Sequence, residues 1–173
     1  YIIKNKNLKA DKDLDFPKLL CWDTDLNLKE FIKSQTILLA GKYDRDLIEY
    51  LINRYGTEFY KVLSIIDISP IMKEEVKNLS EDAKLLRAEI VYSVLYEMSI
   101  TVKDLMTRRN RILLKDKDQG IYALDEICEI MSLSLSNTLS WDEETRKNWI
   151  KKQKNDYIKE VELTNAGKKS IKK

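Results

Sequence analysis

Histidine is absent from all 173 residues. That excludes the Ser-His-Asp and Cys-His arrangements, zinc held by imidazole, and the commonest general base near neutral pH. Cysteine is almost absent too, since Cys21 and Cys128 stand apart with no C-x-x-C spacing for metal or redox chemistry. Cys128 lies in an apolar helical pattern and reads as a small core residue, which suits a reducing cytoplasm. Glycine (4) and proline (2) are scarce against a combined average usage of about 12%. Neither a Gly-rich phosphate loop nor a G-x-G-x-x-G fingerprint can be found. Strand signals, alternating β-branched runs joined by Asn-Gly or Asp-Gly turns, are missing. No apolar run reaches the ~18 residues needed to cross a membrane, and no signal peptide is visible. Charge of one sign is not in excess either: 31 basic and 29 acidic side chains leave +2. The two signs interleave, which argues against nucleic acid as a partner.

What is present is helical periodicity. An apolar content of 43% is enough for a real core. Abundant Leu, Lys, Glu and Ile at 3.6-residue spacing predict an all-α, compact multi-helix domain built on a central helical hairpin. The hairpin is expected over Ala83–Leu114. In its first arm Leu85, Leu86, Ile90, Val91, Val94, Leu95 and Met98 cover most of the helix. They leave one polar stripe, Glu89, Ser93 and Glu97, so this arm is expected at the centre of the domain. The second arm opens on Thr101 and Asp104, a variant capping box. At 100° per residue Arg109 falls ~20° from Val102, inside an apolar stripe with Leu105, Met106, Ile112 and Leu113.

An arginine on a core-facing stripe needs a partner, because a buried unpaired charge costs several kcal/mol. Glu89 and Glu97 are the carboxylates on the facing arm, while Arg108 stands four residues after Asp104, at ion-pair spacing. The expected network is therefore Glu89, Glu97, Asp104, Arg108 and Arg109. It reads either as structural salt bridges or as an arginine presented to an anionic ligand. Elsewhere no D-x-D or E-x-x-H grouping lies on an apolar face as a metal site would, so no metal ligand and no catalytic residue is assigned.

Tyr1–Asn27 lacks periodicity and is expected to be a linker or the remnant of a preceding domain, with Phe16, Leu19, Leu20 and Trp22 able to pack locally. The start at Tyr1 without Met suggests an excised piece. Asn27 is a candidate N-cap for a short helix over Phe31–Leu39. Leu47, Ile48, Leu51, Ile52 and Tyr55 mark a helix over Asp44–Tyr55, with Gly56 as an αL terminator. Thr57 is expected to cap a helix to about Ile66, and Asp67–Glu81 to be a connection. Lys115–Gly120 reads as a turn, followed by a helix to about Leu135 with Leu124, Ile127, Cys128 and Met131 inward. Ser132–Ser140 is expected to be a loop, Trp141–Tyr157 the last helix, and Thr164–Lys173 a disordered basic tail. The main domain is thus Leu28–Leu163.

The stretch AEIVYSVLYEMSITVKDLMTRRNRILL, the Asp-x-x-x-Gly turn, EICEIMSLSLS and LSWDEETRKNWI together resemble the C-terminal domain of FAD-dependent glycerol-3-phosphate dehydrogenases and glycerophosphate oxidases. Ala88, Glu89, Tyr92, Glu97, Thr101, Asp104, Arg108, Arg109, Arg111, Trp141, Asp142 and Arg146 stand at matching places. Arg54–Phe59 is similar to the family's R-Y-G-[ST] helix end. Asn110 replaces the family's Thr, Ser140 a usual Gly, and Ser136–Thr138 lengthen a loop.

The resemblance implies a parent flavoenzyme that oxidises sn-glycerol 3-phosphate to dihydroxyacetone phosphate, with a quinone or oxygen as acceptor. FAD and substrate would sit in an N-terminal portion that is the partner of this chain, and none of its catalytic or cofactor residues is carried here. The fragment alone is expected to be inactive, with a structural or docking role. The alternative is a free-standing helical protein-interaction module. The location implied is cytoplasmic, and the lysines of GKKSIKK could add a weak peripheral contact with the inner membrane face.

Overall fold

The computed structural model describes residues 27–171, with side chains as far as residue 166, and among them every regular element is helical. The chain divides into two compact units, Tyr1–Phe59 and Tyr60–Lys173. The expected linker, with Phe16, Leu19, Leu20 and Trp22, lies outside the described residues except for Asn27.

In the first unit, α1 (Leu28–Leu38) begins where Asn27 accepts hydrogen bonds through Oδ1 from Lys29 N (3.1 Å) and Glu30 N (3.5 Å). The asparagine cap is as expected. Phe31 meets Phe59 edge to face, with ring centroids 6.0 Å apart. The second helix, α2 (Arg45–Tyr55), buries Ile48, Leu51, Ile52 and Tyr55, four members of the expected stripe. Gly56 ends it at φ +56°, ψ −133°, not in the αL basin but still in a conformation that favours glycine.

The second unit contains almost all of α3 (Phe59–Ile68), which is preceded by a 3₁₀ turn over Gly56–Glu58 rather than capped by Thr57. A connection of 3₁₀ turns leads to α4 (Arg87–Glu97). It is tied down by Val76 N donating to Leu85 O (2.8 Å) and Arg87 N to Glu74 O (3.0 Å). Then follow α5 (Val102–Asp104), a π-helical turn over Leu105–Arg109, and α6 (Ile112–Lys115). The unit closes with α7 (Leu124–Leu139) and α8 (Glu143–Ile171). Helix α4 lies along α7 and α7 along α8. Ile90, Leu105, Met106, Ile112, Ile127, Met131 and Tyr157 fill the core of this unit.

Three expectations are corrected here. The second hairpin arm is not one helix. Thr101 caps it as expected, accepting from Asp104 N at 3.1 Å, but the backbone widens after one turn and Asn110 N bonds back to Leu105 O (2.9 Å). Arg111 then takes φ +55°, which breaks the run before α6. Ser132–Ser140, expected as a loop, is helical through Leu139. Its hydroxyls turn back on their own helix, Ser134 Oγ to Ile130 O (3.0 Å) and Thr138 Oγ1 to Ser134 O (2.8 Å), while Leu135 stays in the core. Thr164–Lys173, expected to be disordered, is helical through Ile171. There Asn165 and Gln119 exchange a reciprocal pair of amide hydrogen bonds at 3.0 Å each, which anchors the end of α8.

Candidate functional site

The arginines singled out from sequence gather on the π turn, but the partner of Arg109 is not the expected one. Asp104 serves both: Arg108 Nη1 lies 3.5 Å from its Oδ1, and Arg109 Nε lies 3.5 Å from its Oδ2. The Asp104–Arg108 pair is as the spacing predicts. Arg109 is 39% exposed at its side chain and does not reach across to Glu89 or Glu97. The cause is the π turn. Closing hydrogen bonds at i→i+5 makes each residue lag the 100° progression, so Arg109 rotates off the stripe of Val102 while Met106 and Ile112 still point inward.

Glu89 is fully buried at the start of α4 and accepts from Leu86 N at 2.7 Å, the reciprocal half of a capping box whose leucine supplies no acceptor. Glu97 is half-buried in the last turn of α4 and forms no ion pair among the described residues. The five residues are thus brought together only as Asp104, Arg108 and Arg109.

Two stronger clamps were not foreseen as such. Arg146 on α8 binds Glu143 through two bonds (Nε–Oε2 2.9 Å, Nη2–Oε1 3.0 Å). Its Nη1 also donates to Glu129 (2.7 Å) and to Ser132 Oγ (3.1 Å), which locks α8 onto α7. These two carboxylates hold the guanidinium charged and raise its pKa further. Helix α8 itself starts where Asp142 accepts from Thr145 N (2.8 Å), and the threonine hydroxyl, together with that backbone bond, lowers the Asp142 pKa. Arg87 spans the other side of the unit, with Nε to Glu126 (2.7 Å) and Nη1 to Glu74 (2.7 Å).

The third constellation is the Asp116–Gly120 turn. Burial pulls the Asp116 pKa upward, but hydrogen bonds from Gly120 N (2.9 Å), Ser80 N (2.9 Å) and Asp118 N (3.1 Å) outweigh it and leave the pKa lowered. Tyr157 Oη donates to Gln119 O (2.6 Å) from a buried position, and burial raises its pKa. The sequence signal was the Asp-x-Asp-x-Gly spacing of an Asx-type turn. Its long-range partners, Ser80 and Tyr157, carried none.

The two arginine clamps and the Asp116 turn find their partners within the chain and hold helices together. Among the described residues no group of three His, Cys, Asp or Glu is placed to hold a metal ion. Cys128 is buried, and loss of solvent pushes its thiol up to about 12, far from a reactive thiolate. No described helix is long and apolar enough to cross a membrane.

Comparison with known proteins completes the picture. Residues 23–146 match the family described as the C-terminal domain of alpha-glycerophosphate oxidase. A probable mitochondrial glycerol-3-phosphate dehydrogenase of Dictyostelium discoideum is 30% identical over 126 residues, 73% of this chain and 18% of that protein. A glycerol-3-phosphate dehydrogenase of Synechocystis sp. is 28% identical over 109 residues, 63% of this chain and again 18% of the relative. No solved structure matches. The matched segment therefore spans less than a fifth of the length of these curated relatives. It takes in the π-turn arginines, both clamps and the Asp116 turn, and bears out the resemblance read from the sequence. The chain belongs to the family of the C-terminal domain of alpha-glycerophosphate oxidase.

Proposed function

We propose that the chain is the C-terminal accessory domain of an FAD-dependent glycerol-3-phosphate dehydrogenase. The whole enzyme oxidises sn-glycerol 3-phosphate to dihydroxyacetone phosphate and passes the electrons from flavin to a quinone or oxygen. One observation carries the reading: the match over residues 23–146 is to a C-terminal domain, and it accounts for only 18% of two glycerol-3-phosphate dehydrogenases.

Two of the described glycines, Gly41 and Gly120, offer the diphosphate of FAD no ready cradle. That diphosphate needs glycine backbone close to a free helix N-terminus. Gly41 leads toward α2, but Asp44 and Asp46 place carboxylates at that N-terminus. Gly120 is roofed by Met106 and Ile112. The groove beside it sets the carboxylates of Asp116 and Asp118 against the single cation Lys117, a poor match for a diphosphate. On this reading flavin and substrate sit in the rest of the polypeptide, which is the partner of this domain. The role of the domain is to dock and stabilise. The location is cytoplasmic, with the terminal lysines as a weak peripheral contact at the inner membrane face.

The test is to express the longer polypeptide that contains this sequence, with and without residues 23–173. Both forms should carry flavin and reduce a dye with glycerol 3-phosphate, and the truncated form should unfold at lower temperature. A polypeptide without flavin or that activity would leave the chain a free-standing interaction module.

A further inference from the structure

We infer that the exposed apolar end of α4, formed by Leu95, Tyr96, Met98 and Ile100, is the face that docks on the flavin-bearing portion. The inference rests on the accessory-domain reading above. Its first support is an inversion along one helix. Early in α4 the polar residues Glu89 and Ser93 are buried, whereas at its end Leu95, Tyr96, Met98 and Ile100 are 47%, 49%, 79% and 56% exposed. A helix optimised for water alone would carry the opposite pattern at that end.

The second support is Met98 itself. It occupies the capping position of α4 at φ +54°, ψ +37°, in the left-handed region where glycine or asparagine is favoured. A side chain there costs stability, and one left 79% exposed recovers little of it within the chain. Met is also the residue that adapts most readily to an apolar partner surface.

Third, the face is held in place before any partner arrives. Ser99 N bonds to Ser93 O (2.9 Å), closing the helix end. The Tyr96 ring centroid lies 5.2 Å from that of Tyr92, and Lys61 Nζ sits 5.1 Å from the Tyr96 centroid. A preformed apolar patch loses little entropy on docking.

The occupant is the rest of the same polypeptide, since in both relatives more than four-fifths of the chain accompanies the matched segment. It should offer a shallow apolar surface that matches this patch.

Methionine oxidation by dilute peroxide, read by mass spectrometry, tests this on the chain alone and on the longer polypeptide. In the chain alone Met98 should oxidise quickly, and buried Met106 and Met131 slowly. In the longer polypeptide Met98 should oxidise on the order of tenfold more slowly, as burial of an exposed thioether demands. Met98→Gly should raise the urea midpoint of the chain alone yet lower the thermal midpoint of the longer polypeptide.

Equal Met98 oxidation in both forms, with amide exchange slowed elsewhere on the domain, would move the docking face and overturn the inference while sparing the accessory reading. No protection anywhere would overturn both. Protection that grows with the concentration of the chain alone would make the occupant a second copy and overturn it. A lowered urea midpoint for Met98→Gly in the chain alone would overturn it too.

Discussion

Gly120 shows how narrowly single residues are constrained in this fold. It sits at φ +75°, and a β-carbon there would run into Met106 Cε and come within 2.7 Å of Ile112 Cγ2. Gly120→Ala combines left-handed strain with overpacking and should cost about 2–4 kcal/mol in urea denaturation. Arg109 is the opposite case. Its pair with Asp104 is long and half-exposed, so Arg109→Ala should cost less than ~1 kcal/mol. Arg146→Ala, which leaves Glu129, Glu143 and Ser132 without their shared donor, should cost about 1–3 kcal/mol by the same measurement.

Asp116 adds a pH dependence whose sign follows from its lowered pKa. Its stabilisation is present above the unfolded-state value near 3.8 and is lost as pH falls through the lower folded-state value. The urea midpoint should therefore drop below about pH 4, and Asp116→Asn should flatten that limb while lowering the plateau.

At the scale of elements, the sequence was informative where a stripe and its caps agree. The expected run over Asp44–Tyr55 and the threonine cap at Thr101 correspond to α2 and to the start of α5. It was uninformative where tertiary contact decides. Four hydroxyl residues between Ser132 and Thr138 look like a loop until their bonds to the preceding turn and the burial of Leu135 are known. The π turn misled the reading of Arg109 because a phase argument assumes 3.6 residues per turn, and nothing in LMTRR announces the change. Glu89, offered from the sequence as a partner for Arg109, is instead buried and bonds locally to Leu86 N. The end of α8 depends on Gln119, 46 positions earlier than Asn165, a pairing no local pattern can reveal. Tyr157→Phe, which strips the buried bond to Gln119 O, should cost about 1 kcal/mol and loosen the amide protons of the last turns of α8 in hydrogen exchange.

For the whole molecule, the described residues hold arginine clamps, a capped turn and an apolar core, and the charged groups of the clamps and the turn are committed to one another. That pattern suits a domain whose work is done by its surface, and the family match puts it beside a much longer relative. In the proposed accessory role this chain would stabilise a flavoenzyme without holding the flavin. Titrating the purified chain with FAD while following flavin fluorescence checks that role. A flat response is expected up to a large excess of FAD, and saturable quenching at one equivalent would overturn the role.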